Sequence, residues 1–504
     1  MEKIAIIDLG SNTARLLLVD VFDNGHFVIS DQLKESPRIG EGMDKDGFLK
    51  PSRIKATIDT LKMFKRLCDS CNVEKVIAVA TAAVRKAKNQ RSFLDEVFAS
   101  TGIKLRVLSA EEEAMYVYRG VINTMDIPKG LIFEIGGGST KIVYYNRRNL
   151  LAHETLPFGS ILLTEMFANE GLSHEEQADK IEEYVTEQLS KIEWLKDIDP
   201  ETQLIGVGGS FRNLCRITKI MKKYPLRTIH NYVVGAEDFE HTYNLLRTLD
   251  LDRKKRIKGI SSGRADILPS AFAAVNAFKK YTGRENIVIS GSGLRTGLIF
   301  NYAVPQTVDK PISDVLAFSL GTLVEFYHCD PVHTDNVVNL SIQLFKQLRV
   351  LHKFPRQYLR ILKVAAYLHE AGKSVQYYNY QKHSGYIILN SNLHGISHRD
   401  MVMASFVAGN TSIEDINPID WAKYSAFVGD EDVEAVKKMG TILRIAEALD
   451  RSRTGSVTGI NCDILGDSVI MKTEVVADAS LEIASAIELS QDFRRVFKKN
   501  LEIL

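Results

Sequence analysis

A strand–turn–strand–turn–strand pattern occurs twice in this chain, first over residues 4–32 and again over residues 131–155. In the first copy, apolar runs at 4–9, 16–21 and 27–32 are separated by a Gly/Ser/Asn turn and by the hairpin pair Asn24-Gly25. In the second, runs at 131–135, 141–145 and 150–155 are separated by a Gly/Ser turn and the polar turn at 146–149. One supersecondary unit used twice predicts two related domains.

Each copy continues in the same way. Helical periodicity over 51–71, a strand at 76–80, a helix over 93–99, a strand at 105–108 and a helix over 110–121 follow the first. Helices over 159–168 and 175–195 follow the second, then strands at 204–207 and 287–290, each running into a Gly-rich turn and a helix. Strands alternating with helices give an α/β class, with mainly parallel sheets extended by antiparallel hairpins. Beyond Val304-Pro305 the pattern becomes helical. Pro305, Pro311, Pro331 and Pro355 punctuate it, helix signals stand at 330–335 and 356–371, and only residues 456–475 look strand-like. The chain therefore reads as α/β domains at 1–124 and 125–305 and a mainly α-helical domain at 306–504.

The 504 residues accommodate three domains at the usual size of roughly 100–200 residues each. A composition of 45% hydrophobic and 25% charged residues is that of a globular protein, and the net charge of +1 indicates no nucleic-acid partner. A local basic groove for a polyanion stays open. Five scattered cysteines, with no secretory segment before the first apolar run, lead us to expect a cytoplasmic protein. Cys68-x-x-Cys71 has no second pair and reads as two thiols at a helix end. No apolar run reaches the roughly 18 residues of a membrane span.

Both repeats place a glycine- and hydroxyl-rich turn after a strand that ends in a carboxylate. The first is Asp8-Leu9-Gly10-Ser11-Asn12-Thr13 and the second Glu134-Ile135-Gly136-Gly137-Gly138-Ser139-Thr140. Glycines let backbone approach a ligand, and successive amides form an anion-binding concavity to which Ser and Thr hydroxyls add donors. Asp8 and Glu134 stand where a carboxylate could hold a cation against phosphates. Two equivalent turns facing across an interdomain cleft would clamp one phosphate chain from both sides.

These segments, with Thr81-Ala82-Ala83-Val84-Arg85, Ser109-Ala110-Glu111-Glu112-Glu113-Ala114, Gly206-Val207-Gly208-Gly209-Ser210 and residues 290–297 (SGSGLRTG), stand in the order of the exopolyphosphatase/guanosine pentaphosphate phosphatase family, which the whole chain resembles. The resemblance implies two actin-like (ribonuclease H-like) domains around a cleft and hydrolysis of a terminal phosphoanhydride. The substrate would be inorganic polyphosphate or guanosine pentaphosphate; a weakly catalytic binder of these anions is the alternative. The resemblance maps the catalytic base onto Glu113. Gly10, Ser11, Asn12, Thr13, Arg85, Gly136, Gly137, Gly138, Ser139, Thr140, Lys141, Gly208, Gly209 and Ser210 would bind phosphate, Asp8 and Glu134 would hold Mg2+, K+ would act as an activator, and the protein would be a homodimer.

Two departures stand out. The family's Asp-x-Gly-Gly-Gly-Ser-Thr-Glu motif here begins with Glu134 and ends with Lys141, a charge reversal compatible with either a retuned or a weakened catalyst. Arg253-Lys254-Lys255-Arg256-Ile257-Lys258 is either a polyanion track or a solvated helix face, and Arg264 and Asp266 suggest an ion pair. The last domain resembles an HD-type metal phosphohydrolase, with His333, His369-Glu370, His383 and Glu447 near ligand positions. Its His-Glu pair, and Gly409-Asn410 in place of Tyr-His, argue against a working second metal centre; it would shape the substrate channel or a dimer interface.

Overall fold

The computed structural model describes all residues except 44–45, 169–170, 306–310 and 410–415. The chain forms two compact units, Met1–Tyr224 with Ile229–Val315, and Pro225–Thr228 with Leu316–Leu504.

The first unit contains both repeats. Strands β1 (Glu2–Leu9), β2 (Ala14–Val21), β3 (Phe27–Glu35), β4 (Lys75–Ala80) and β5 (Leu105–Val107) form a sheet of order β3-β2-β1-β4-β5. Strands β6 (Lys129–Ile135), β7 (Thr140–Asn146), β8 (Asn149–Leu156), β9 (Gln203–Val207), β10 (Tyr232–Val234) and β11 (Ile287–Ile289) form a second, of order β10-β11-β9-β6-β7-β8. Read from the hairpin side the two orders agree, with antiparallel pairs first and parallel strands after; β10 is an extra antiparallel edge. This is the actin-like arrangement.

The central strands of both sheets bury both faces, which explains why they read as apolar runs, while the edge strands β3 and β8 stay largely exposed or half-buried. On β1, Ala5, Ile7 and Leu9 pack with Leu61 and Phe64 of the helix Pro51–Ser70 and with Phe93 and Val97 of the helix Gln90–Thr101, whereas Ile4 and Ile6 face the other way. On β6, Phe133 stacks on Phe278 of the helix Leu268–Thr282 at 4.1 Å between ring centres.

The helix Ala110–Ile122 lies where the two sheets meet. Its Tyr116 joins the core with Ile4, Ile6 and Leu17, while Val117 and Val121 join Ile132, Val143 and Ile205. The partner helix Leu294–Tyr302 touches it backbone to backbone: a methyl on Gly297 would stand 1.8 Å from the Tyr116 carbonyl oxygen. We expect Gly297→Ala to lower stability by about 1–3 kcal/mol, as overpacking does, and to cut activity by displacing the helix that carries Glu113. Urea denaturation checks this, and an unchanged midpoint would contradict it.

The second unit is mostly helical, with Pro331–Gln347, Tyr358–Leu368, Tyr380–Asn390, His398–Gly409 and Asp430–Ala448 as its main helices. A sheet of order β12-β13-β14 accompanies them, formed by Val457–Leu465, Ser468–Val475 and Asn500–Ile503. The last of these corrects the expectation that only 456–475 is extended. It has four residues, and only Leu501 and Ile503 turn inward. Among the described residues no helix is long and apolar enough to cross a membrane.

Candidate active site

A cavity of about 540 Å³ in the first unit is lined by both predicted turns and by Gly208 and Gly209. The hairpin register makes the turns equivalent. Leu9 pairs with Ala14 and Ile135 with Thr140; Gly10 N donates to Thr13 O at 3.0 Å and Gly136 N to Ser139 O at 2.9 Å. The same register sets Asp8 opposite Arg15 and Glu134 opposite Lys141. The turns stand face to face: a methyl on Gly137 would lie 3.2 Å from Ser11 Cβ, so only a residue without a side chain leaves this gap open.

Gly10, Ser11, Asn12, Thr13, Gly136, Gly137, Gly138 and Ser139 all line the cavity, as do Asp8, Glu113, Glu134 and Lys141. Asn12 is 6% exposed and its side-chain nitrogen has no hydrogen-bond partner, a donor that a phosphate oxygen would satisfy. Gly208 takes φ +99°, and a methyl on Gly209 would stand 2.3 Å from the Arg264 guanidinium carbon. The helix Gly209–Met221 starts here and presents its positive end to the cavity wall.

Four expectations change. Thr140 is not at the cavity wall; its hydroxyl donates to the Phe158 carbonyl at 2.8 Å and holds β7 to the following loop. Ser210 is fully buried and is absent from the wall. Arg85 lies on the short helix Ala82–Lys86, where Nη1 donates to Leu108 O and to Glu113 Oε2, both at 2.9 Å, so it holds the carboxylate and not phosphate. Lys141 lines the cavity but is only 3% exposed, and its ammonium is engaged by two carboxylates, Glu113 Oε1 and, at 3.3 Å, Glu134 Oε2.

The acidic run divides its labour. Glu112 closes a capping box with Ser109, accepting from Ser109 N at 2.9 Å, while Glu113, one residue on, turns into the interior. Burial opposes ionisation of Glu113, but Lys141 and Arg85 outweigh it and hold the carboxyl below the usual glutamate range. Asp8 is shifted the other way: burial raises it, and Arg295, 3.9 Å away, and Arg15 only partly offset that.

The most telling residues are ones the sequence does not mark as phosphate ligands, although Arg264 and the 290–297 segment holding Arg295 stand out in it. Arg15, Lys34, Arg212, Arg216, Arg264 and Arg295 all line the cavity. They come from β2, β3, the first two turns of the helix Gly209–Met221, the 3-10 turn Ser262–Arg264 and the start of the helix Leu294–Tyr302. Burial and neighbouring guanidinium groups lower Arg212 to about 9 and Arg264 and Arg295 to about 10, so these cations repel one another, and Glu134, Asp266 and Asp8 offset this only in part. The expected Arg264–Asp266 pair does not form; Asp266 takes Arg38 at 3.3 Å, leaving Arg264 for the cavity. The basic run lies elsewhere. It spans the helix Leu251–Arg256, with Lys254 buried and Arg253 and Lys255 paired to Asp250 and Asp252, and none of it lines the cavity.

His230 supports the rim. Its Nδ1 accepts from Gly291 N at 3.1 Å and its Nε2 lies 2.9 Å from the Thr124 carbonyl, the pattern of a neutral ring with its proton on Nε2. Burial pushes it down to about 4 from 6.5, against the Thr124 bond. The stabilisation is therefore complete above pH 6.5 and is lost as pH falls toward 4, where the unfolded chain binds the extra proton, for a total of about 3 kcal/mol. The unfolding midpoint should fall across that window, and His230→Gln should flatten the fall; identical profiles for both proteins would contradict it.

In the helical unit, His333, His369 and Glu370 converge within 4.8 Å, and Asp450 accepts from His333 Nδ1 at 2.7 Å. Asp450, not Glu447, completes this cluster; Glu447 instead accepts from the Tyr380 hydroxyl, and His383 is not among the converging residues. Burial works against a charged His333, yet its bonds to Asp450 and Glu370 carry it up to about 9. Glu370 also pairs with Arg453 at 2.6 Å and with Lys373. Of the three, only Glu370 is bonded to Arg and Lys side chains; His369 Nε2 faces His333 Nε2 at 3.3 Å, and the three residues retain the donor set of a metal site. Asn410 of the Gly409-Asn410 pair lies outside the described residues.

Opposed glycine-rich turns on two copies of one actin-like unit, with a buried carboxylate and a ring of arginines between them, form a site suited to a phosphohydrolase. The profile of the Ppx/GppA phosphatase family matches residues 18–304, and that of Ppx/GppA phosphatase, domain III, matches residues 317–488. The chain belongs to the Ppx/GppA phosphatase family. It is 29% identical over 307 residues to the bifunctional 3-dehydroquinate synthase/phosphatase of Fusobacterium nucleatum, covering 58% of this chain but only 46%, about half, of that protein. To the guanosine-5'-triphosphate,3'-diphosphate pyrophosphatase of Aeromonas hydrophila it is 26% identical over 461 residues, covering 89% of this chain and 88% of the relative. Among solved structures, an exopolyphosphatase from Cytophaga hutchinsonii matches with TM-score 0.56 and 25% identity over 60% of this chain and 98% of its own. The Aquifex aeolicus member of the Ppx/GppA family matches with TM-score 0.51 and 26% identity over 60% and 97%.

Proposed function

We propose that this protein is an exopolyphosphatase that hydrolyses the terminal phosphoanhydride of inorganic polyphosphate and releases orthophosphate. One observation carries the reading: seven cationic side chains, Lys141 among them, line a cavity in which, among the described residues, no aromatic ring is available to stack on a nucleobase. A phosphate chain offers such a wall charge and nothing else. The five free thiols fit a reducing cytoplasm.

In the reaction, a water held by Glu113 attacks the terminal phosphorus in line. Its proton passes to Glu113, and the anhydride oxygen leaves on the shortened chain. Each Glu113 oxygen already accepts from a cation, yet a carboxylate offers about four acceptor positions, so about two remain, one of which can take water. Turn amides, the Ser11 and Thr13 hydroxyls, Asn12 and the arginines meet the charge that develops on the phosphoryl oxygens. Asp8 is the wall carboxylate that would hold Mg2+, which would supply charge neutralisation to the phosphate chain, and K+ would be a companion ion. Because Glu113 sits below its usual range, the acid limb of kcat/KM should fall below pH 4.5 once unfolding is corrected for. An acid limb near pH 6 would contradict that.

A second reading, hydrolysis of guanosine pentaphosphate, is favoured by the naming of the Aeromonas relatives. Initial rates of phosphate release from long-chain polyphosphate and from guanosine pentaphosphate, at equal concentrations of terminal phosphate, separate the two. Faster release from polyphosphate supports the proposal, and release from the pentaphosphate alone rejects it.

A further inference from the structure

The gap between Glu113 and Glu134 already holds a cation. Lys141 Nζ bonds Glu113 Oε1 and lies 3.3 Å from Glu134 Oε2, and the lysine is 3% exposed. The other Glu113 oxygen belongs to Arg85 at 2.9 Å. The position is built into the repeat, since Lys141 faces Glu134 across its hairpin as Arg15 faces Asp8 across the other. An ammonium buried between two carboxylates blocks the space a dication needs and removes the excess negative charge that would draw one in.

We propose that the Lys141 ammonium takes the place of a protein-bound divalent cation between Glu113 and Glu134, holding the base ionised and oriented without metal. Lys141 is a positioning residue: it acts through Glu113. The consequence for catalysis rests on the phosphohydrolase reading above, but the occupancy of the gap does not. Any Mg2+ that the reaction uses then arrives on the phosphate chain, and Asp8 is the one wall carboxylate of the three without a cation closer than 3.9 Å.

The test is Mn2+ titration of the full chain, followed by electron paramagnetic resonance without substrate. Wild type and Glu134→Gln should give the same isotherm. Lys141→Glu, with its fold checked by thermal melting, should gain one Mn2+ per chain at least about 10-fold tighter than any wild-type site, the scale on which local ligand changes act. Lys141→Ser keeps the test open should the glutamate variant misfold: removing the ammonium alone should still tighten Mn2+ at this gap, and the gain should vanish on adding Glu134→Gln. A wild-type Mn2+ that disappears in Glu134→Gln, or no gain in either folded Lys141 variant, overturns the proposal. Polyphosphate binding measured in EDTA reports separately on the arginine wall, so its loss would refute the proposed substrate and leave the Mn2+ result standing.

Discussion

Replacing Arg212 with alanine should raise KM for polyphosphate about 100-fold while making the ligand-free protein more stable. Arg212 is buried among Arg295, Arg15 and Arg264, and its Nη2 donates to Gly291 O at 3.2 Å. In the free protein the repulsion is a cost that Glu134 offsets only in part. A bound polyanion converts it into charge-assisted hydrogen bonds, and truncating one partner of such a buried pair costs roughly 2–5 kcal/mol of binding. The opposite signs are diagnostic, because loss of an ordinary packing residue would weaken fold and binding together. A melting scan with and without polyphosphate, beside steady-state kinetics, checks both. A variant less stable than wild type with unchanged KM would show that Arg212 is structural.

Glu113→Gln should lower kcat by about 10²–10⁴-fold, the range expected for loss of a general base, without loss of polyphosphate binding. Its amide keeps the shape of the carboxylate but leaves the buried Lys141 with Glu134 alone and the half-buried Arg85 with the Leu108 carbonyl. Breaking a buried pair from one side costs about 3–5 kcal/mol, so the variant should melt earlier and recover more of its stability than wild type does when polyphosphate is added. Calorimetric binding and single-turnover phosphate release measure the two parts. Unchanged release would remove Glu113 from the role of base.

Much of this site was legible in the sequence because it lies in contiguous segments. The turns at 10–13 and 136–139 repeat a local pattern, and hairpin register alone carries them to equivalent places. Glu113 was legible only through the family motif, since charge in the first helical turn equally suits a cap, a part that Glu112 plays. The arginines were not legible as a set: they are scattered over separate elements, and only the topology gathers positions 15, 212, 264 and 295 on one wall. The visible basic run at 253–258 pointed away from them. Lys141 was noticed as a departure, but its inward aim between two carboxylates depends on packing against the helix Ala110–Ile122. The helix Leu268–Thr282 escaped for another reason, being buried on most sides and so lacking the polar stripe that periodicity detects.

Diffraction from crystals of the full chain soaked with tripolyphosphate tests the central claim most directly. The account predicts a phosphate chain seated between the turns at 10–13 and 136–139, its oxygens on Arg212, Arg264 and the Asn12 amide and its terminal phosphorus facing Glu113. Anion density confined to the helical unit, with the arginine-lined cavity empty, would contradict it.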